Sequence, residues 1–286
     1  KTMKLRWIER WLRVFIFSLK SEILLFSAGS ILTILEFKFA YYLIRILKIL
    51  KPRIKILALG VSIGPFKNEN DRKNALKLLS LFNEILVRDE KSLEYIPADF
   101  NVKVSLSQDL AYTFLNEKIE QNSISNKKNL GIALNDYHLL FGKQFLKTEQ
   151  IRNDKVINLI KKLILGKKID KITIFVTSSH EIYGDQRVSE YIYSKLNKEI
   201  ETIQIIYDNN FDDFIKELSK CDLIISSRLH TGFFGLAQGI KLIQLSYAEK
   251  IDNFYKNNNI NGLKIYNAYE FNEEKIFDDI KFLLTN

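Results

Sequence analysis

The chain has 286 residues, 47% of them hydrophobic and 27% charged, a globular balance that excludes disordered and collagen-like classes and suits one large or two ordinary domains. Lys and Arg number 43 against 34 Asp and Glu, and the formal net charge of +9 favours anionic partners without choosing among phosphates, nucleic acid and an acidic membrane face. An AT-rich genome, which enriches Lys and Asn, is an equally good source of that charge.

From Lys1 to Lys20, Leu5, Ile8, Leu12, Phe15 and Leu19 recur at helical spacing, with Lys4, Arg6, Arg10 and Arg13 between them and Trp7 and Trp11 widening the apolar face. Two readings fit: a helix covering a sheet with its charges in water, or a basic, aromatic helix resting on an anionic membrane. Charges run through the first twenty residues, unlike a signal peptide. The longest nearly apolar run, Ile23 to Leu35, has 13 residues, short of the ~20 that span a bilayer.

Strand and helix periods then alternate. "EILLFS" reads as a strand, "FKFAYYLIRILKIL" as a helix stopped by Pro52, "IKILALG" as a strand, "DRKNALKLLSLF" as a helix and "EILVRD" as a strand. Asn116 to Asn129 is polar and aperiodic, the pattern of an interdomain linker. Beyond it come "LGIAL", a helix around Ile151 to Leu165, "KITIFVT", a helix around Arg187 to Leu196, "TIQIIY", the helix "FDDFIKELSK", "CDLIIS", a small-residue helix, "KLIQLS", another helix, and a closing helix near Glu274 to Leu284. This alternation predicts an α/β protein of two doubly wound, Rossmann-like domains, residues 1–120 and 121–286, facing across a cleft.

Cys221, the single cysteine, excludes an internal disulfide and points to a reducing compartment. His138, His180 and His230 lie far apart and none has metal-ligand spacing, so no metal is expected. Ligands of open parallel sheets bind beyond the carboxyl ends of the strands, and unusual polar residues collect there. Gly60 to Phe66, "GVSIGPF", including Gly64, reads either as a plain tight turn or as a close approach to an anion. Arg88 ends an apolar strand beside Asp89, either as a locally paired charge or as a guanidinium offered to a carboxylate or phosphate. Ser226 to His230 carries most weight: Arg228 and His230 can address one ligand, Ser226 and Thr231 flank them, and the helix opening at Thr231 and Gly232 adds partial positive charge. His138 with Asp136, and His180 with Glu181, read as exposed loop histidines or as aids to deprotonating an acceptor hydroxyl. Lys127-Lys128, Lys161-Lys162 and Lys167-Lys168 lack interleaved aromatics and read as solvated faces, so nucleic acid is not expected as a partner.

Taken together, "SSRLHTGFFGLAQGIKLIQLSYAEKI" resembles the signature of the polysaccharide pyruvyl transferase family, with its Ser-x-Arg-x-His, small-residue helix and later Tyr-x-x-Lys. "LLFSAGSIL", "LGVSIGPF", "ILVRDEKSLEYI" and Asp109 in "SQDLAYTF" fit the family's further elements in order, from about Glu22 to Ile260. The resemblance implies a GT-B-like architecture and transfer of the enolpyruvyl carbons of phosphoenolpyruvate onto two hydroxyls of a sugar, forming a pyruvate ketal and releasing phosphate. Arg88, Arg228, His230 and Lys250 are the implied donor-binding positions, with His230 as general acid or phosphate ligand. Phosphoenolpyruvate is the donor substrate, no cofactor is implied, and the sugar acceptor is polysaccharide or lipid-linked.

Ala28 replaces a family glycine, and no Asn-x-Gly-Asp loop precedes Glu22, which reads either as a missing first strand of the N-terminal domain or as divergence from the family there, and bears on acceptor binding. The implied location is cytoplasmic, with peripheral contact at the inner membrane face through residues 1–20. The rival reading is a GT-B glycosyltransferase using a nucleotide sugar, with Glu249 holding a ribose or sugar hydroxyl.

Overall fold

The computed structural model describes residues 3–29, 37–66, 68–107, 109–111, 128–178, 184–256 and 261–285. Its contacts divide the chain into two compact units, Lys1–Tyr112 and Thr113–Asn286. Of the expected linker, residues 116–127 lie outside the described residues, and Asn129 already belongs to a strand.

The first unit is a parallel sheet of four strands in the order β1 (Ile23–Gly29), β2 (Lys55–Val61), β3 (Glu84–Val87), β4 (Lys103–Leu106). Its helices are α1 (Met3–Lys20), α2 (Phe37–Leu50), α3 (Glu69–Leu79) and the short α4 (Glu90–Glu94). Helix α2 follows the expected period and buries Phe37, Ala40, Ile44 and Leu47 at spacings of three and four. Helix α1 buries part of the expected apolar face: Phe15 is half-buried against the core, and the side chains of Leu5, Trp7 and Ile8 lie outside the described residues. Trp11 and Ser18 are buried, and Leu12 and Leu19 are exposed together with Ile16 and Phe17. The Trp11 ring packs edge-on against Phe39 of α2 at 6.4 Å, and Leu12 and Leu19 stay outside that contact.

The second unit is a six-stranded parallel sheet, β5 (Asn129–Ala133), β6 (Lys171–Val176), β7 (Glu201–Ile206), β8 (Leu223–Ser226), β9 (Lys241–Ser246) and β10 (Leu263–Asn267), in the order β10-β9-β8-β5-β6-β7. Counted from β5, that is the dinucleotide-fold order third, second, first, fourth, fifth, sixth. The linking helices are α5 (Leu146–Leu165), α6 (Gln186–Leu196), α7 (Phe211–Leu218), α8 (Leu229–Ala237), α9 (Glu249–Lys256) and α10 (Glu273–Thr285). Every residue of β5 and β8 is buried, which is why they read as unbroken apolar runs, whereas the edge strands β7 and β10 are half exposed.

Small residues let α8 press on this sheet. A Cβ at Gly235 would stand 2.3 Å from the Cδ1 of Ile224, and one at Gly232 would stand 2.7 Å from Gln244 Oε1. The strand order also fixes where the chain reverses its winding, between β5 and β8. In open parallel sheets ligands bind beyond the carboxyl ends of the strands at such a reversal.

Candidate active site

Three segments meet at that switch point. From β5 come Asn135 and Asp136, from β8 come Ser227 and Arg228, and from the end of β6 and the start of α6 come Thr177, Ser178 and Asp185. Ser227 ties the first two: its hydroxyl accepts from the Asn135 amide at 2.9 Å and donates to Asn135 Oδ1 at 2.6 Å.

Asp185 organises the third. Its side chain is 0% exposed, and Oδ2 accepts from the Thr177 amide at 3.1 Å, the Thr177 hydroxyl at 2.7 Å and the Ser178 amide at 3.2 Å. Arg228 completes the shell, with Nε donating to both carboxylate oxygens at 3.0 and 3.1 Å and Nη2 donating to Oδ1. A buried carboxylate is stable only with such a full set of donors. The guanidinium is thereby held edge-on while 27% of the Arg228 side chain still meets solvent.

Arg228 is also the N-cap of α8, in extended conformation and with no side-chain cap. His230 follows in the first turn, exposed, its ring 6.2 Å from that of Phe234 and tilted by 27°. An uncapped helix start beside a fixed guanidinium favours negative charge. Ser226 and Thr231 are buried, contrary to the expectation that they contact substrate. The Ser226 hydroxyl accepts from the Arg228 amide at 3.0 Å and donates to the Arg228 carbonyl at 2.7 Å, so it shapes the turn that carries the arginine. The side chain of Lys250 lies outside the described residues, as do His180 and Glu181. Glu249 opens α9 and is exposed.

Tyr247, after β9, stacks on Tyr137 with centroids 4.1 Å apart and hydrogen-bonds Asn135. Burial raises its phenol above the ordinary value, against the opposing pulls of the Arg228 charge and the Asn135 bond. His138 is not a free loop histidine: its ring lies 4.4 Å from that of Tyr269, nearly parallel at 11°, and its amide donates to Glu149 at 2.5 Å. Beneath it lies a buried network that the sequence reading missed. Arg152, fully buried, donates to the Asn135 carbonyl at 2.6 Å and to Asp136 at 3.2 Å, and pairs with buried Glu149. Arg187, on α6, donates to the other oxygen of Asp136.

In the first unit, the loop after β2, the Arg88-Asp89-x-x-Ser92 element and Asp109 come together. Arg88 donates through Nε to Ser62 at 2.8 Å and through Nη1 to Asp109, with side chains only 11% and 5% exposed. Its carboxylate partner is therefore Asp109 and not the adjacent Asp89. Asp89 instead caps α4 through the Ser92 amide at 2.9 Å and accepts from Ser62 at 2.5 Å. The Ser92 hydroxyl accepts from the Ile63 amide at 2.8 Å, locking the two motifs. Gly64 sits at φ +74°, where a Cβ would fall 2.4 Å from the Tyr95 ring, so backbone geometry and packing alone require glycine there.

Two parallel, Rossmann-like α/β units, the second with a polar constellation at its switch point, define a GT-B-like enzyme. Structure comparison agrees at the level of fold. The chain is similar to the UDP-GlcNAc 2-epimerase of Methanocaldococcus jannaschii, at 12% identity over 100% of this chain and 77% of that one, TM-score 0.57. It is likewise similar to the UDP-GlcNAc 2-epimerase of Neisseria meningitidis bound to UDP-GlcNAc, at 14% identity over 97% and 73%, TM-score 0.54. No curated protein matches by sequence. The model of the polysaccharide pyruvyl transferase family matches residues 2–249, and the chain belongs to that family. It is thus a transferase of polysaccharide biosynthesis, and the family implies a sugar acceptor.

Proposed function

We propose that the protein moves the enolpyruvyl group of phosphoenolpyruvate onto two hydroxyls of one sugar, giving a cyclic pyruvate ketal and inorganic phosphate. One observation carries the reading: Arg228, braced by buried Asp185, stands at the switch point beside an uncapped helix start and an exposed imidazole. A planar fork suits a carboxylate or phosphate, and the amides of α8 suit a second negative oxygen.

The reaction assigned to these groups balances as follows. A proton adds to the methylene carbon of the donor, making a methyl group, while the adjacent carbon gains positive character and takes the first sugar hydroxyl. The bond from that carbon to the phosphate oxygen then breaks, and the second hydroxyl closes the ring. Of the two hydroxyl protons released, one replaces the proton spent on the methyl group and one leaves with phosphate. His230 supplies or steers a proton, since an imidazole can both donate and accept one. Phosphate release from phosphoenolpyruvate with a sugar acceptor should fall at least ~100-fold in His230→Gln. Near-normal release would exclude His230 from the chemistry, and tight binding of a nucleotide sugar in place of phosphoenolpyruvate would favour glycosyl transfer.

Membrane contact through α1 is part of the same proposal. Among the described residues no helix is long and apolar enough to cross a membrane. The outward face of α1 nonetheless presents Leu12, Ile16, Phe17 and Leu19 with Arg13, an apolar and basic surface that suits the boundary of an anionic bilayer carrying a lipid-linked acceptor.

A further inference from the structure

We infer that Arg187 is a second ligand-binding arginine of the switch-point site, taking one anionic group of a two-headed acid while Arg228 takes the other. This rests on the phosphoenolpyruvate reading and extends it to a residue that no motif marks.

The geometry is a closed ring of three segments. The β8 loop is tied to the start of α6 by Arg228 and Asp185, the start of α6 to the β5 loop by Arg187 and Asp136, and the β5 loop back to β8 by Asn135 and Ser227. Asp185 and Arg187 are two residues apart at the start of one helix, which places both ion pairs at the same end of the sheet.

The two pairs share one design. In each the carboxylate is inside, Asp185 at 0% and Asp136 at 5% exposed, and the guanidinium is outside, Arg228 at 27% and Arg187 at 46%. A ligand arriving from solvent therefore meets donors first. Asp136 keeps two donors when Arg187 is taken away, because Oδ1 receives Arg152 at 3.2 Å and Asn153 at 3.1 Å, while Oδ2 takes Arg187. The carboxylate instead fixes one edge of Arg187 and leaves the rest of its fork for a ligand; among the described residues those remaining nitrogens have no protein partner. A single Arg has five N–H donors, so a bidentate grip on a ligand remains open after one bond is spent on Asp136. Phosphoenolpyruvate, with its carboxylate and phosphate, is the class of ligand such a pair would read.

The test is calorimetric titration of the whole chain with phosphoenolpyruvate, pyruvate and inorganic phosphate, using Arg187→Gln, Arg187→Lys and Arg228→Gln. The inference expects phosphoenolpyruvate to bind ~10- to 100-fold more weakly to Arg187→Gln, with partial recovery in Arg187→Lys, which keeps the charge and loses the fork. The thermal midpoint of Arg187→Lys should stay at the wild-type value, so a folding defect in the Gln variant cannot imitate the result. Pyruvate and phosphate should respond oppositely to the two arginines, one losing affinity at Arg187 and the other at Arg228. If the wild-type chain binds phosphoenolpyruvate and both Arg187 variants bind it equally well, the inference is wrong and the proposed reaction stands. If the wild-type chain does not bind it at all, the proposed reaction itself fails.

Discussion

Replacing Asp185 by Asn probes how the site is built. The substitution keeps the shape, removes the charge, and turns one acceptor oxygen into an NH2 donor. Six hydrogen bonds from five donor groups converge on the carboxylate: three from Thr177 and Ser178, and three from Arg228, whose Nε is shared between both oxygens. Whichever way the amide turns, its NH2 faces either the guanidinium or the Thr177 and Ser178 donors. Breaking a fully buried pair costs about 3–5 kcal/mol. Because Arg228 is 27% exposed and can partly rehydrate, the cost here is placed at about 2–4 kcal/mol. A unit of this size shifts by about 2–4 °C per kcal/mol, so the melting temperature should fall by roughly 5–15 °C. Released from its brace, Arg228 should also lose its fixed geometry, and phosphoenolpyruvate affinity should fall by roughly 10-fold or more. Differential scanning calorimetry and ligand titration on one preparation read both. An Asp185→Asn protein with wild-type melting and wild-type affinity would show that the carboxylate neither supports the fold nor positions the arginine.

Gly64→Ala should destabilise the first unit by about 2–4 kcal/mol, from left-handed backbone strain together with overpacking against Tyr95. A second change, Tyr95→Leu, should recover only the packing part in denaturant unfolding, and full recovery would remove the backbone argument. The phenols of Tyr247 and Tyr269 are raised by burial, Tyr269 further by the Glu149 charge, above the ordinary 10.0. The folded state then holds these protons longer than the unfolded chain, so their contribution to stability is full below pH about 10 and is lost as pH rises beyond it. Absorbance titration should show part of the 13 tyrosines ionising late in the folded protein and on time in urea; a single native transition near pH 10 would contradict this. Ile16→Glu with Phe17→Glu should abolish co-sedimentation with anionic vesicles while leaving melting unchanged, and undiminished co-sedimentation would remove α1 from membrane contact.

The central strands were legible because burial on both faces makes them continuous apolar runs, as "LGIAL" and "KLIQLS" show. Edge strands β4 and β10 are short, half exposed and interrupted by Lys, Ser, Tyr and Asn, and lack that signature, so neither stood out. In α1 the helical period was legible, but not which part of its broad apolar face is covered: Trp11 is buried and Phe15 half-buried, while Leu12 and Leu19 are exposed. Arg228 and His230 could be singled out from their place after a buried strand. Asp185 could be noted as an acid but not paired with an arginine 43 residues away, because that contact depends on β6 and β8 flanking β5. Arg152 and Glu149 lie among Lys, Thr, Gln, Asn and Asp in a stretch that resembles a solvated helix face. Only the fold reveals that this face lies against the β5 loop and that both charges are buried.

The most direct test of the central claim is a crystal structure of the protein soaked with phosphoenolpyruvate. The account predicts the ligand beyond the carboxyl ends of β5 and β8, one anionic group on the Arg228 fork and His230 within reach of the methylene carbon or the bridging oxygen. Clear occupancy elsewhere, with Arg228 still engaged by Asp185 alone, would contradict it.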